Sequence, residues 1–256
     1  MSKTILITGT NSGFGKLMTK TFLNNGDKVL ATMRDQAGRN KEAADALMGF
    51  DNATSNLSIY ELDVTDNASI DQAVDAIKND HPTIDVLINN AGYGTGGITE
   101  GFTDEQFKNI FEVNVFGVHR VTKAILPLMR EKGSGLIINV SSLMGRIIIP
   151  FSALYTSSKY ALEGYSESLR YELKPLGIDV AIIEPGGFGT NFLENMTGPA
   201  DEERLKQYGD YANKPNEMWG GVAQNLSGEN APNPQEVADA ALKLVNQPAG
   251  QRDLRI

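Results

Sequence analysis

Six short runs of apolar, largely β-branched residues punctuate this 256-residue chain, and each is followed by a longer stretch with helical spacing. The runs are Thr4–Thr8, Lys28–Thr32, Leu57–Leu62, Ile84–Ile88, Leu136–Val140 and Ile178–Ile183. Helices are expected over Phe14–Asn25, Asn40–Gly49, Ala68–Asn79, Asp104–Lys132, Ala153–Lys174 and Glu236–Asn246. Runs of this composition suit parallel strands buried on both faces. Their alternation with helices leaves a doubly wound parallel sheet of the α/β class as the architecture. The length supplies enough interior for one such unit, so 1–256 is expected to be a single domain. Thr103 is placed to N-cap the first long helix and Gly133 to end it.

Composition excludes several functions. With 23 Lys and Arg against 32 Asp and Glu, the net charge of −9 lacks the basic footprint nucleic acid demands. There is no cysteine, hence neither disulfide nor thiol chemistry. The two histidines, His81 and His119, lie far apart, and no metal site is expected. The N-terminus enters a strand without a signal-peptide pattern. No apolar run approaches the roughly 20 residues of a membrane span. A cytoplasmic protein without membrane attachment is the expectation.

Two clusters carry chemistry. Thr8-Gly9-Thr10-Asn11-Ser12-Gly13-Phe14-Gly15 lies where the first strand passes into the first helix. Glycines there permit a tight turn and let backbone N–H groups approach a pyrophosphate at the helix N-terminus. Farther on, Tyr155 and Lys159 stand four apart, on one face of a helix. An ammonium there is expected to lower the phenol's pKa from its ordinary value of about 10. The Ser142 hydroxyl, upstream, can hold a carbonyl oxygen beside that phenol. These are the parts of a proton donor for reversible ketone–alcohol chemistry.

The glycine loop, Asn89-Asn90-Ala91-Gly92 after the fourth strand, Ser142, Tyr155-x-x-x-Lys159 and Pro185-Gly186 together resemble the short-chain dehydrogenase/reductases, in order and spacing, over almost the whole chain. Phe14 departs from the pattern, where an aliphatic residue is usual. Ala31–Asp35 and Ile183–Gly187 look closest to the hydroxysteroid- and retinol-dehydrogenase-like branch. The resemblance implies a Rossmann fold and an oxidoreductase acting on CH–OH groups. By position, it assigns the catalytic roles to Asn114, Ser142, Tyr155 and Lys159, with Asn114 holding a water path from the lysine to solvent. To the cofactor it assigns Gly9, Asn11, Ser12, Gly13, Phe14 and Gly15, then Asp63 and Val64 at the adenine, and Asn90, Ala91 and Gly92. Tyr155, Lys159, Pro185, Gly186, Phe188 and Thr190 complete that set.

An NAD enzyme places a carboxylate near the end of the second strand. Here Met33 stands in that place and Arg34 follows, which suits the 2′-phosphate of NADP(H). NAD(H) is the alternative, through Asp35. Residues 191–234, rich in proline and glycine, are expected to form a substrate lid with short helical pieces around Asp201–Tyr211. Ser142, Met144, Ile149, Phe192 and Met196 are the expected substrate contacts. Leu143, Ile147, Ile148, Phe151, Leu193 and Trp219 add apolar surface and Tyr93 stands at the mouth, so a bulky apolar carbonyl or alcohol is the expected substrate. The two long helices are expected to build a homodimer or homotetramer. The chain stops at Leu254-Arg255-Ile256, where a final strand would be starting. A non-catalytic NADPH-binding regulator is the alternative from another class, and the intact Ser142, Tyr155 and Lys159 stand against it.

Overall fold

The pattern of largely apolar strands is realised as one parallel sheet of six, ordered β3-β2-β1-β4-β5-β6. The strands are β1 (Thr4–Thr8), β2 (Lys28–Met33), β3 (Leu57–Glu61), β4 (Val86–Asn89), β5 (Gly135–Val140) and β6 (Ile178–Ile183). This computed structural model describes residues 2–53, 55–228 and 230–256. The pleat sends Ile5 and Ile7 to one face and Leu6 to the other. Helices α1 (Gly13–Asn24) and α2 (Lys41–Met48) cover the first face. α3 (Asn67–Asp80) covers the second, where Ile70, Val74 and Ile77 meet Leu6 and Leu87.

The expected long helix over Asp104–Lys132 is not regular. It divides into α4 (Asp104–Phe111), a π-helical turn Glu112–Gly117, and α5 (Val118–Lys132). Thr103 caps its start in a reciprocal capping box with Gln106, and Gly133 ends it. The second long helix, α6 (Ala153–Leu173), closes through a 3₁₀ turn at Lys174–Leu176. Val121 and Ile125 of α5 and Leu169 and Leu173 of α6 share the second core with α3.

After β6 the chain is more helical than expected. α7 (Glu202–Lys206) and a 3₁₀ turn at Gly209–Asn213 fall where short pieces are predicted, but α8 (Lys214–Leu226) is a full helix. Pro215 starts it, and Gly220 and Gly221 in its middle dilute the periodicity that would announce it. α9 (Gln235–Asn246) returns to the first face beside α1. The last residues lie parallel to the β6 edge: Ile182 N–H donates to Leu254 O at 2.7 Å and Ile256 N–H to Ile182 O at 3.1 Å. No helix among the described residues is long and apolar enough to cross a membrane.

Candidate active site

The strands' carboxyl ends open into a cleft of about 1320 Å³, lined by residues from every loop at that edge. β1 and β4 are neighbours whose connections leave in opposite directions, the place where a doubly wound sheet offers a crevice. Gly9 turns the chain out of β1 with φ +70°, and a Cβ on it would stand 2.9 Å from Ala91 Cα. Asn90 closes the turn from the other side, its side-chain amide donating to Thr8 O at 2.9 Å and Gly9 O at 3.0 Å. Ser12 begins α1 without a side-chain cap, and the first turn carries no acidic residue. Uncapped N–H groups beside a glycine turn fit a pyrophosphate, so the residues present suit a dinucleotide.

Asn11, Ser12, Gly13, Phe14, Arg34, Asp63, Val64, Ala91, Gly92, Pro185, Gly186, Phe188 and Thr190 all line this cleft, as Gly9 and Asn90 do. Gly15 lies beneath its wall instead, where a Cβ would fall 2.2 Å from Gly9 O and 2.6 Å from Asn90 Nδ2. Its place is close packing of helix on loop. Phe14 and Phe188 meet edge to face, 5.7 Å between ring centres. Burial raises the Asp63 pKa, but hydrogen bonds from Thr65 and the nearby Arg34 outweigh it and leave the carboxyl below its ordinary value.

At the end of β2, Arg34 and Arg39 both line the cleft. Asp35 does not: it turns at φ +51° and its carboxylate takes the Arg39 backbone N–H at 3.1 Å. Asn40 ties the two loops, accepting from Asn11 at 3.2 Å and donating to Arg34 O at 2.6 Å. Arg39 and Asn40 escaped the sequence reading, although a second arginine five residues after Arg34 is a signal that could have been used.

Ser142, Tyr155 and Lys159 converge at the far end of the cleft. Ser142 follows β5 in extended conformation, and its Oγ accepts from the Met144 N–H at 3.1 Å, the bond that starts the 3₁₀ turn Leu143–Gly145. Tyr155 and Lys159, each 6% exposed, stand one turn apart on α6. The Lys159 ammonium donates to Val140 O at 2.9 Å and lies 5.6 Å from the centre of the Tyr155 ring. The expected electrostatics need correction. Burial pushes the phenol up to about 12, opposed only by the Ser142 hydroxyl. Burial also pushes the lysine down to about 8, opposed by the Glu163 carboxylate. Desolvation of both groups therefore outweighs any lowering of the phenol by the ammonium.

Asn114 is buried in the π-helical turn and does not line the cleft. Its amide nitrogen donates to Tyr93 O at 3.0 Å and Ser158 Oγ at 3.1 Å, while its oxygen accepts the Tyr93 N–H at 3.1 Å. Those bonds explain the irregular helix: the side chain satisfies the backbone after β4, and one extra residue in the turn lets it reach there.

The apolar wall beside Tyr155 joins Met144, Ile149 and Phe192 with Tyr93, Trp219 and Ile110. The Phe192 ring centre is 5.4 Å from that of Tyr155. Met196, Leu143 and Leu193 line the same space. Ile147 and Ile148 do not; they are exposed. Phe151, at φ +60°, faces Tyr211 over a separate hollow of about 450 Å³.

Residues 3–200 match the family model for short chain dehydrogenases. An uncharacterized oxidoreductase of Bacillus subtilis, YusZ, is 42% identical over 252 residues, covering 96% of this chain and 85% of that protein. Human retinol dehydrogenase 8 is 32% identical, over 95% of this chain and 78% of its own length. Among solved structures, a short-chain dehydrogenase from Streptomyces avermitilis superposes with a TM-score of 0.83 at 32% identity, over 100% of this chain and 87% of the other. This chain belongs to the short-chain dehydrogenase family, and is an oxidoreductase acting on CH–OH groups with a nicotinamide cofactor. Its structural neighbours were solved with both forms. A Brucella melitensis 3-ketoacyl-(acyl-carrier-protein) reductase was solved with NADH (TM-score 0.80, 27% identity, 99% of this chain and 94% of that one). A serine dehydrogenase was solved with NADP+ (0.81, 28%, 99% and 93%).

Proposed function

We propose that this protein is an NADP(H)-dependent oxidoreductase that interconverts a bulky apolar ketone or aldehyde with its alcohol. The observation that carries the reading is the burial of Ser142, Tyr155 and Lys159 where a dinucleotide-sized cleft meets an apolar wall. When bound, the nicotinamide supplies the hydride. Tyr155 gives its phenolic proton to the carbonyl oxygen. Ser142 donates a hydrogen bond to the same oxygen, stabilising the negative charge that develops there. Lys159 stabilises the phenolate that remains and binds the nicotinamide ribose. Asn114 maintains the route by which the proton is replaced. Reduction uses the protonated phenol, and oxidation uses the same group as a base. Tyr155→Phe is expected to lower kcat about a thousandfold while NADPH still binds. Near-normal turnover of ketones by that variant would overturn the scheme.

The NADP(H) preference is supported by Arg34 and Arg39 lining the cleft, by Met33 standing where an acid would be, and by Asp35 turned away. Ser12 adds a hydroxyl. A guanidinium suits a 2′-phosphate through charge-assisted, forked hydrogen bonds. The ratio of kcat/KM for NADPH over NADH is expected to fall at least tenfold in Arg34→Ala; an unchanged ratio would reject the assignment.

The substrate class is supported by Met144, Ile149, Phe192, Met196 and Trp219 around Tyr155, which makes the segment after β6 the substrate lid. The same reading includes a homodimer or homotetramer built through α4–α5 and α6, because Phe107, Phe116, Tyr160 and Tyr171 on those elements are exposed.

A further inference from the structure

Glu163 sits one helical turn past Lys159 on α6, 5% exposed, and its Oε1 meets no hydrogen-bond donor among the described residues. A carboxylate is buried this deeply only at considerable cost unless other charges compensate it. Arg255 of the C-terminal segment supplies one such charge. Its Nε lies 3.1 Å from Glu163 Oε2 and 3.1 Å from Glu184 Oε1, and its other arm reaches Glu167 at 2.6 Å. Glu184 immediately precedes Pro185 at the cleft, and its N–H donates to Ile256 O at 2.9 Å. On the opposite side the turn after Ser142 rests on Glu163: a Cβ at Gly145 would lie 3.0 Å from Glu163 Cγ. The charged groups facing Glu163 are thus Lys159 and Glu167 from its own helix, Glu184 from the end of β6 and Arg255 from the C-terminal segment. Arg146, in the loop after Gly145, adds positive charge near Glu167 and Glu184.

Lys159 needs a negative partner. Its direct hydrogen bond goes to a neutral carbonyl, Val140 O, which does not balance a buried ammonium. Glu163, on the same face of the helix, is the carboxylate that opposes the effect of burial on that lysine. We infer that Glu163 is a positioning residue for the reaction, the buried counter-charge that keeps Lys159 ionised beside Tyr155, with Arg255 paired to Glu163 and orienting it. The inference rests on the catalytic reading of Tyr155 and Lys159 given above. It makes the C-terminal segment part of the active site's support, since Arg255 joins the catalytic helix to the strand end that carries Pro185.

Glu163→Gln tests it, because the amide keeps the shape against Gly145 and removes the charge. Without that charge the ammonium is lost at lower pH. The alkaline limb of the kcat/KM profile for ketone reduction should move down by about half to one pH unit, with the KM for NADPH little changed. A second readout is independent of turnover. Unfolding free energies of wild type, Glu163→Gln, Lys159→Met and the double variant, measured from pH 6.5 to 9.5, isolate the lysine's titration in each background. The onset of that titration should fall by the same interval in the glutamine background. An unchanged onset overturns the inference. So does a shifted onset with an unshifted rate profile, which leaves Glu163 a structural role only. Absence of ketone turnover in the wild-type protein would instead reject the proposed function, and the unfolding cycle would still decide the charge coupling.

Discussion

A lysine buried with its charge makes folding stability depend on pH in a window where most proteins titrate little. Lys159 is held down to about 8, against about 10.4 in an unfolded chain. Below the lower value both states bind the proton, and the folded state carries the cost of the buried charge. Between the two values the unfolded chain binds a proton the folded one has released, so stability rises with pH there. The wild-type protein is therefore expected to gain about 1.4 kcal/mol per pH unit above pH 8 relative to Lys159→Met. Denaturant titrations of both proteins at pH 7 and pH 9.5 measure the difference; equal changes would show that the lysine's environment is ordinary. Tyr155 contributes little up to pH 9.5, because its phenol is mostly protonated in both states below about pH 10.

Two elements of the cleft depend on close approach. The glycine loop and α1 are locked by Gly15, whose missing side chain makes room for the Gly9 carbonyl and the Asn90 amide. A backbone oxygen 2.2 Å from a new methyl cannot rotate away as a side chain would. Gly15→Ala should displace the loop from α1, destabilise the fold by about 1–3 kcal/mol, and weaken NADPH binding at least tenfold. Calorimetric binding and thermal unfolding check both, and a variant with wild-type affinity would show that the loop tolerates the shift. The π-helical turn is the second such element. The sequence shows Asp104–Lys132 as one apolar-striped helix because a single inserted residue barely disturbs that periodicity. The hydrogen bonds of Asn114 to both backbone groups of Tyr93 are long-range, and no local propensity encodes them.

At the scale of the molecule, one end of the sheet gathers six loops that are remote in sequence, and the helices beside them leave aromatic surface uncovered. Phe116 is 47% exposed and Tyr171 72%, on the elements proposed to form the subunit interface. Sedimentation velocity at micromolar concentration is expected to show a dimer or tetramer, and Phe116→Asp combined with Tyr171→Asp to shift it toward monomer. A wild-type protein that sediments as a monomer would remove the oligomer from the reading.

Strand positions were legible from the residues alone: β1 and β6 match their runs residue for residue, since strands buried on both faces read as near-continuous apolar runs. That the glycine loop, Ser142, Tyr155 and Lys159 line one cleft was legible as well, through the order and spacing of motifs shared with the short-chain dehydrogenases; a Tyr and a Lys four apart mean little alone. Other features came only from how the chain packs. Arg39 joins Arg34 at the cleft while Asp35 turns away, the phenol and the lysine are both shifted by desolvation, and Arg255 reaches three carboxylates across the end of the sheet. Burial and long-range charge depend on which segments meet in space, and a linear pattern of residue types records neither.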